Sequence, residues 1–284
     1  LLTRSRIAVP ARDYRFVGVA IRAIVVAALA TGCGRFHFDP LATDADRTSD
    51  GASDSSADAR AAPTMIYADT YPNASKIYTI DPVTLQPSGG TTLCTNIGSP
   101  DVGDILFDAS GQLIAFGFTQ LSMYRVELDF ATCTAIPLTY QGVQTTSTVV
   151  ATAVVPAGGV GPNLVVLGAS QDSKLYQINT TDGTMQLITN LAAGASGDLV
   201  WTGTELLMTT APGGNDHLVR VNMTTGALTD IGATGFGAVF GLAWLNGTLY
   251  AMSNGGQVAI IDPSTAATVR SINTADGWGG ATVR

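Results

Sequence analysis

The sequence is short of basic residues. Fourteen Lys and Arg stand against 22 Asp and Glu, and only six of the basic residues fall after residue 63. Residues 64–284 carry a net charge of −9. That field repels phosphate backbones and argues against a nucleic-acid partner. Histidine is scarcer still, with His37 and His217 alone, and the three cysteines, Cys33, Cys94 and Cys133, form no Cys-x-x-Cys pair. A transition-metal centre built on clustered His or Cys is therefore not expected. No Gly-x-Ser-x-Gly elbow occurs; "GASGD" at Gly194 has the wrong spacing, and a Ser/His/Asp hydrolase would have to draw on His217. The 32 glycines are spread over turns rather than gathered into a phosphate-cradling loop. Long apolar runs are also missing. The longest, Ala23 to Gly32, has ten residues, and a membrane-spanning helix needs about 20.

What the chain does contain is 46% apolar and only 13% charged residues, with Gly, Thr, Ser, Ala and Val filling the difference. Such a mixture suits many short strands joined by turns. Its first 32 residues stand apart. They carry a net charge of +4, end in the short apolar run, and meet a cysteine at position 33. A basic region, a short apolar region and small residues before a cut describe a secretory signal. Leu29-Ala30-Thr31-Gly32-Cys33 resembles the bacterial lipobox, although Ala30 stands where that motif usually has Leu. The resemblance implies that Cys33 is acylated and becomes the mature N-terminus. An ordinary cleaved signal with an incidental cysteine is the alternative. Gly34, rather than Asp, follows the cysteine, which by the same resemblance implies sorting to the outer membrane. The string Cys-Gly-Arg-Phe-His-Phe-Asp-Pro is similar to the mature start of myxobacterial lipoproteins. No Met precedes Met65, so the start is expected at a non-Met codon read as Met, as late as Val17 or Val19.

Residues 33–63 read as the lipidated N-terminus and a disordered acidic linker. From Leu41 to Pro63 there is almost no large apolar side chain, so ordering entropy has nothing to offset it. Asp44, Asp46, Asp50 and Asp54 lack the spacing of a helix-flanked calcium loop. A solvated, self-repelling spacer is expected.

From Met65 onward one phrase recurs. An apolar strand ("GDILFD" at Gly103, "GDLVWT" at Gly197, "GLAWL" at Gly241) leads to a second strand. A third strand follows and closes in an acid or amide: "KIYTID", "MYRVE", "KLYQIN", "LVRVN" and "VAIID". The closing residues are Asp81, Glu127, Asn179, Asn222 and Asp262, spaced 46, 52, 43 and 40 apart. Each interval is the length of a four-stranded propeller blade. Asp and Asn suit this place because their side chains bond the backbone two residues on, and the Gly of "TTDG" or "TTG" supplies positive φ. The chain ends in "GWGGATVR", which reads as the first strand of another blade, whereas the first copy lacks that strand. Pairing Ala281–Arg284 beside Ile66–Asp69 would close the ring and remove its exposed edges. The expected fold is all-β, a five-bladed β-propeller over residues 64–284 closed by the C-terminal strand; a β-sandwich is the alternative. The blade phrase resembles the broad superfamily of Tyr-Val-Thr-Asn, NHL-like and quinoprotein-like propellers, which implies an architecture and no single activity.

Two cysteines remain once Cys33 is assigned to lipid. In an exported protein Cys94 and Cys133 are candidates for a disulfide, the alternative being two buried thiols. Asp104 and Asp198 each follow a Gly and open an innermost strand. Convergent carboxylates at the channel mouth could hold a cation such as Ca²⁺. The competing expectation is that each bonds amides between blades. Trp201, Trp244, Phe107 and Trp278 read as core aromatics rather than a sugar platform. The sequence thus predicts a monomeric envelope lipoprotein, anchored in the membrane by lipid. Its propeller is expected to bind a protein or an extracellular ligand, with no catalytic residue and no obligatory cofactor. The alternative is a divalent-ion-dependent propeller hydrolase, lactonase-like or glycan-cleaving.

Overall fold

A computed structural model describes residues 64–72, 74–141, 147–159, 163–212 and 214–284. The expected signal segment, Cys33 and the acidic linker lie outside the described residues. β1 (Ile66–Thr70), β2 (Lys76–Ile80) and β3 (Pro87–Thr92) open the domain. β4 (Val102–Phe107), β5 (Leu113–Gly117), β6 (Ser122–Val126) and β7 (Cys133–Pro137) form the second sheet. After β8 (Thr139–Gln141) come β9 (Val149–Pro156), β10 (Leu164–Ser170), β11 (Lys174–Ile178) and β12 (Thr184–Asn190), the third. The fourth is β13 (Leu199–Trp201), β14 (Leu206–Thr210), β15 (His217–Val221) and β16 (Leu228–Ala233). The fifth is β17 (Val239–Leu245), β18 (Thr248–Ser253), β19 (Gln257–Ile261) and β20 (Thr268–Asn273). β21 (Trp278–Val283) returns to the first sheet, giving the order β21-β1-β2-β3. The fold is a five-bladed β-propeller. β4, β9, β13, β17 and β21 are the inner strands, and each touches the next around a central channel.

Closure follows the expected register. β21 runs antiparallel to β1, with Val283 opposite Ile66, Thr282 opposite Tyr67 and Ala281 opposite Ala68. The two ends of the domain therefore share one blade, and β21 pairs the inner edge that β1 would otherwise expose.

The recurring turn residues act as their chemistry requires. Asp81 Oδ1 accepts from the Val83 and Thr84 N–H groups at 2.8 and 2.7 Å. Asn222 Oδ1 accepts from Thr224 and Thr225 at 3.0 Å each. Asn179 and Asp262 repeat the bond to the residue two on. Blade 2 departs from the pattern. Glu127 holds the repeat position, but Asp129 supplies the carboxylate to the Ala131 and Thr132 amides. One strand has no counterpart in the repeat: β8 adds to the outer edge of blade 3, parallel to β12.

Apolar burial sits between blades. Five buried clusters occupy the five junctions, for example Ile66, Ile80, Tyr250, Met252 and Trp278 between blades 5 and 1. Burying such a side chain contributes about 1.5–3 kcal/mol, so the blades are held by their neighbours rather than by cores of their own. Cys94 and Cys133 lie in the blade 1–2 junction. Their sulfurs are 2.07 Å apart, a disulfide that ties the segment after β3 to β7.

Candidate functional site

The site is built by the inner strands. Bulges interrupt the N-terminal ends of β4, β9, β17 and β21, Asp198 immediately precedes β13, and contacts between blades put Asp104, Ala151, Asp198, Gly241 and Gly280 at one level of the channel. Bulges re-aim the backbone locally, and here amides at and just beyond that level reach the two carboxylates. Asp104 Oδ1 accepts from the Ile105 N–H at 2.7 Å, and Oδ2 from the Thr152 hydroxyl at 2.6 Å. Asp198 Oδ1 accepts from the Leu199 N–H at 2.6 Å and from the Thr152 N–H at 3.4 Å. Its Oδ2 accepts from the Leu242 N–H at 2.6 Å, a residue of the adjacent blade. The two predicted acids are thus brought together, and four of the amides one residue past that level end on them.

Both acids are fully buried. Tyr71, Phe118 and Phe240, from blades 1, 2 and 5, meet at this end of the channel, with ring centres 4.7 and 5.8 Å from Tyr71. Burial pushes the Asp104 carboxyl up to about 7, opposed by the hydrogen bonds it accepts. Burial and the Asp104 charge raise Asp198 well above the usual carboxylate range. Two carboxyl groups in one buried site cannot both ionise cheaply, so the charge on one disfavours ionisation of the other. Asp69 on β1 was not singled out by the sequence. It is also fully buried and raised by desolvation; its Oδ1 accepts from the Gly280 N–H at 2.7 Å, while Oδ2 has no hydrogen-bond partner. Gly280 has no room for a side chain. A Cβ on Gly280 would fall 2.2 Å from Asp104 Oδ1.

Asp104 and Asp198 are the residues that could hold a cation, as oxygen donors. Their oxygens already accept from backbone and hydroxyl donors, and no group of three or more His, Cys, Asp or Glu with metal-binding geometry occurs among the described residues.

The other end of the channel is open. Three residues beyond each of the five equivalent positions stand Phe107, Val154, Trp201, Trp244 and Val283, and all five line a cavity of about 260 Å³. Phe107 and Trp278 are buried as expected, Trp278 against Tyr78 with ring centres 5.5 Å apart. Trp201 and Trp244 differ. They pack on the inter-blade cores but also present a half-buried face to the cavity. Arg284 completes the rim, its guanidinium 5.2 Å from the centre of the Phe107 ring. Arg284 and Thr152 carried no signal in the repeat. Only the register places them.

A second cavity, about 600 Å³, lies between blades 3 and 4 and is lined by Ser196, His217 and Asp230 among others. His217 Nδ1 sits 3.0 Å from Asp230 Oδ1, but the Ser196 hydroxyl donates to Asp216, 2.9 Å away. No serine nucleophile is assembled on His217 there.

A family model described as a repeat of unknown function (DUF6923) matches residues 134–281. No curated protein matches the chain. Among solved structures, a chain of a nidogen/laminin complex is similar at 11% identity, with 77% of this chain and 97% of that chain covered and a TM-score of 0.50. A proposed gluconolactonase is similar at 12% identity, with 78% and 82% covered and a TM-score of 0.50. The glutaminyl cyclase of Myxococcus xanthus follows at 16% identity, 64% and 69% covered, TM-score 0.43.

Proposed function

The chain belongs to the family of DUF6923 repeats, and from that premise we propose that its propeller is a non-enzymatic binding module whose site is the open end of the channel. Fold likeness does not choose a function, since one similar structure comes from a protein complex and another from a proposed enzyme. The observation that carries the reading is the chemistry of the cavity wall. Its fifteen lining residues include no Asp, Glu, His, Cys or Lys, and the only charged side chain among them is that of Arg284. General acid–base and nucleophilic catalysis need a titratable group within hydrogen-bond reach of the reacting atom. The two hydroxyls nearest to that role are engaged: Thr152 donates to Asp104, and Thr282 Oγ1 accepts from the Phe107 N–H at 3.2 Å. What remains is apolar and aromatic surface at the bottom of a rigid ring, which suits holding a small molecule.

The module is carried, in this proposal, by the lipid on Cys33 and the acidic linker, which present it as a monomer at the cell envelope, with Gly34 directing it to the outer membrane. Neither a divalent ion nor another cofactor is needed for binding. A thermal-shift screen of the whole chain against small organic molecules tests the site. A ligand present at 100 times its dissociation constant adds about 2.7 kcal/mol of stability. The shift should disappear in Trp201→Ala and Trp244→Ala. A shift that survives both substitutions, or chemical turnover of the ligand, overturns the proposal.

A further inference from the structure

We infer that the channel cavity selects a flat, singly anionic ligand of one or two rings, with its rings against Trp201 and Trp244 and its carboxylate on the Arg284 guanidinium. The inference rests on the binding reading above and adds the ligand's class.

Size comes first. At about 260 Å³ the cavity is just below the range of roughly 300–1,000 Å³ that drug-sized ligands occupy. Shape follows from the register: β13 and β17 are adjacent inner strands, and they carry Trp201 and Trp244 at the same level, with Phe107 on β4 completing three aromatics in a ring of five positions. Aromatic faces favour offset or edge contacts with flat partners.

Charge comes from one residue. Of the six basic residues in the domain, Lys174 pairs with Asp172, Arg220 with Glu205, Arg270 donates to the Val83 carbonyl, and Lys76 and Arg125 stand outside the cavity, which leaves Arg284 on its wall. Arg284 has no acidic partner among the ion pairs of the described residues, although the domain is strongly acidic. Its guanidinium lies over Phe107 at the exposed rim of the cavity. A planar guanidinium in that posture suits bidentate recognition of a carboxylate. The channel's own carboxylates lie beneath the cavity floor of Thr152, Leu199 and Leu242, and their oxygens already accept from the donors of those floor residues.

Two of the chain's three tryptophans line the cavity, so intrinsic fluorescence reports occupancy directly. The whole chain is titrated with 1-naphthoate, 1-naphthalenemethanol and 1-naphthalenemethylamine, which share one ring system and differ in charge. We expect naphthoate to quench fluorescence with at least tenfold higher affinity than the alcohol. Arg284→Gln should remove that advantage while leaving alcohol binding within twofold, and Arg284→Glu should prefer the amine. Arg284 is exposed, so neither variant is expected to disturb folding, and a thermal midpoint within 2 °C of wild type checks this. Equal binding of acid and alcohol to the wild type overturns the inference and leaves the channel as a binding site. Failure of all three probes to quench, with no effect of Trp244→Ala, removes the binding site itself.

Discussion

Asp104 and Asp198 are joined through Thr152: its hydroxyl donates to one carboxylate at 2.6 Å and its backbone N–H to the other at 3.4 Å. One residue of blade 3 thereby links acids on blades 2 and 4. With Leu242 donating to Asp198 as well, these bonds close a link across the inner strands of blades 2, 3, 4 and 5.

That closure has a pH signature. The folded carboxyls of Asp69, Asp104 and Asp198 are raised above their unfolded values near 3.8. The native state therefore holds protons more tightly than the unfolded one. Their stabilising contribution is full below the unfolded value and is lost as pH rises through the folded one, which for Asp104 is about 7. The turn carboxylates Asp81, Asp129, Asp182 and Asp262 are lowered by hydrogen bonds and act in the opposite sense, losing their contribution as pH falls. The thermal midpoint should therefore peak between about pH 4 and 6. Asp104 by itself accounts for an expected loss on the order of 2–4 kcal/mol from pH 5 to 8. Asp104→Asn should flatten that slope and raise the midpoint at pH 8. An unchanged slope in a melting series would contradict the raised Asp104 carboxyl.

Gly280 is predicted to tolerate no side chain. A methyl group there meets Asp104 Oδ1 at 2.2 Å in a packed channel. Gly280→Ala should cost about 1–3 kcal/mol, the usual penalty of overpacking. Urea unfolding of Gly280→Ala beside an exposed control such as Gly255→Ala, which has neither a positive φ nor a close contact, separates the clash from the loss of glycine itself. Equal effects would place the clash elsewhere.

Loss of the disulfide should weaken the domain. Cys94 and Cys133 are 39 residues apart and tie neighbouring blades. Closing a loop of that length stabilises by about 2–4 kcal/mol, chiefly by restricting the unfolded chain. Cys94→Ser/Cys133→Ser should lower the denaturant midpoint accordingly, and a thiol count on the unreduced wild type should find neither cysteine free. A reactive thiol at either position would contradict the bond.

How much of this could be read beforehand depended on spacing. Four turn residues and the shared closing blade were legible because a fixed period of Asp or Asn before a tight turn has one physical use. Glu127 was legible as a position but not as chemistry, since its longer side chain hands the turn to Asp129. β8 was not legible, because three residues added in parallel to an outer edge carry no period. The partnership of Asp104 and Asp198 was suggested by two "GD" steps. Thr152 and Asp69 stayed hidden, one on a strand without an acid and the other on a second strand. Trp201 and Trp244 read as core because an apolar inner strand looks the same whether it faces a neighbour or a channel. Only the contacts between blades set them three residues beyond the acids' level, at the open end.

The anchor proposal has its own test. Cys33→Ala should move the protein from the membrane fraction to the soluble fraction, since firm retention needs more than one acyl chain on that residue. Continued membrane association of the variant would contradict acylation at Cys33.

The most direct test of the binding proposal is recovery of the occupant. The whole chain is incubated with a small-molecule extract, re-isolated and denatured, and the released compounds are identified by mass spectrometry beside Trp201→Ala/Trp244→Ala. We expect a compound retained by the wild type, absent from the double variant, and identical in mass to its form in the extract. A retained compound of altered mass would indicate chemistry rather than binding, and equal retention by both proteins would place the site outside the channel.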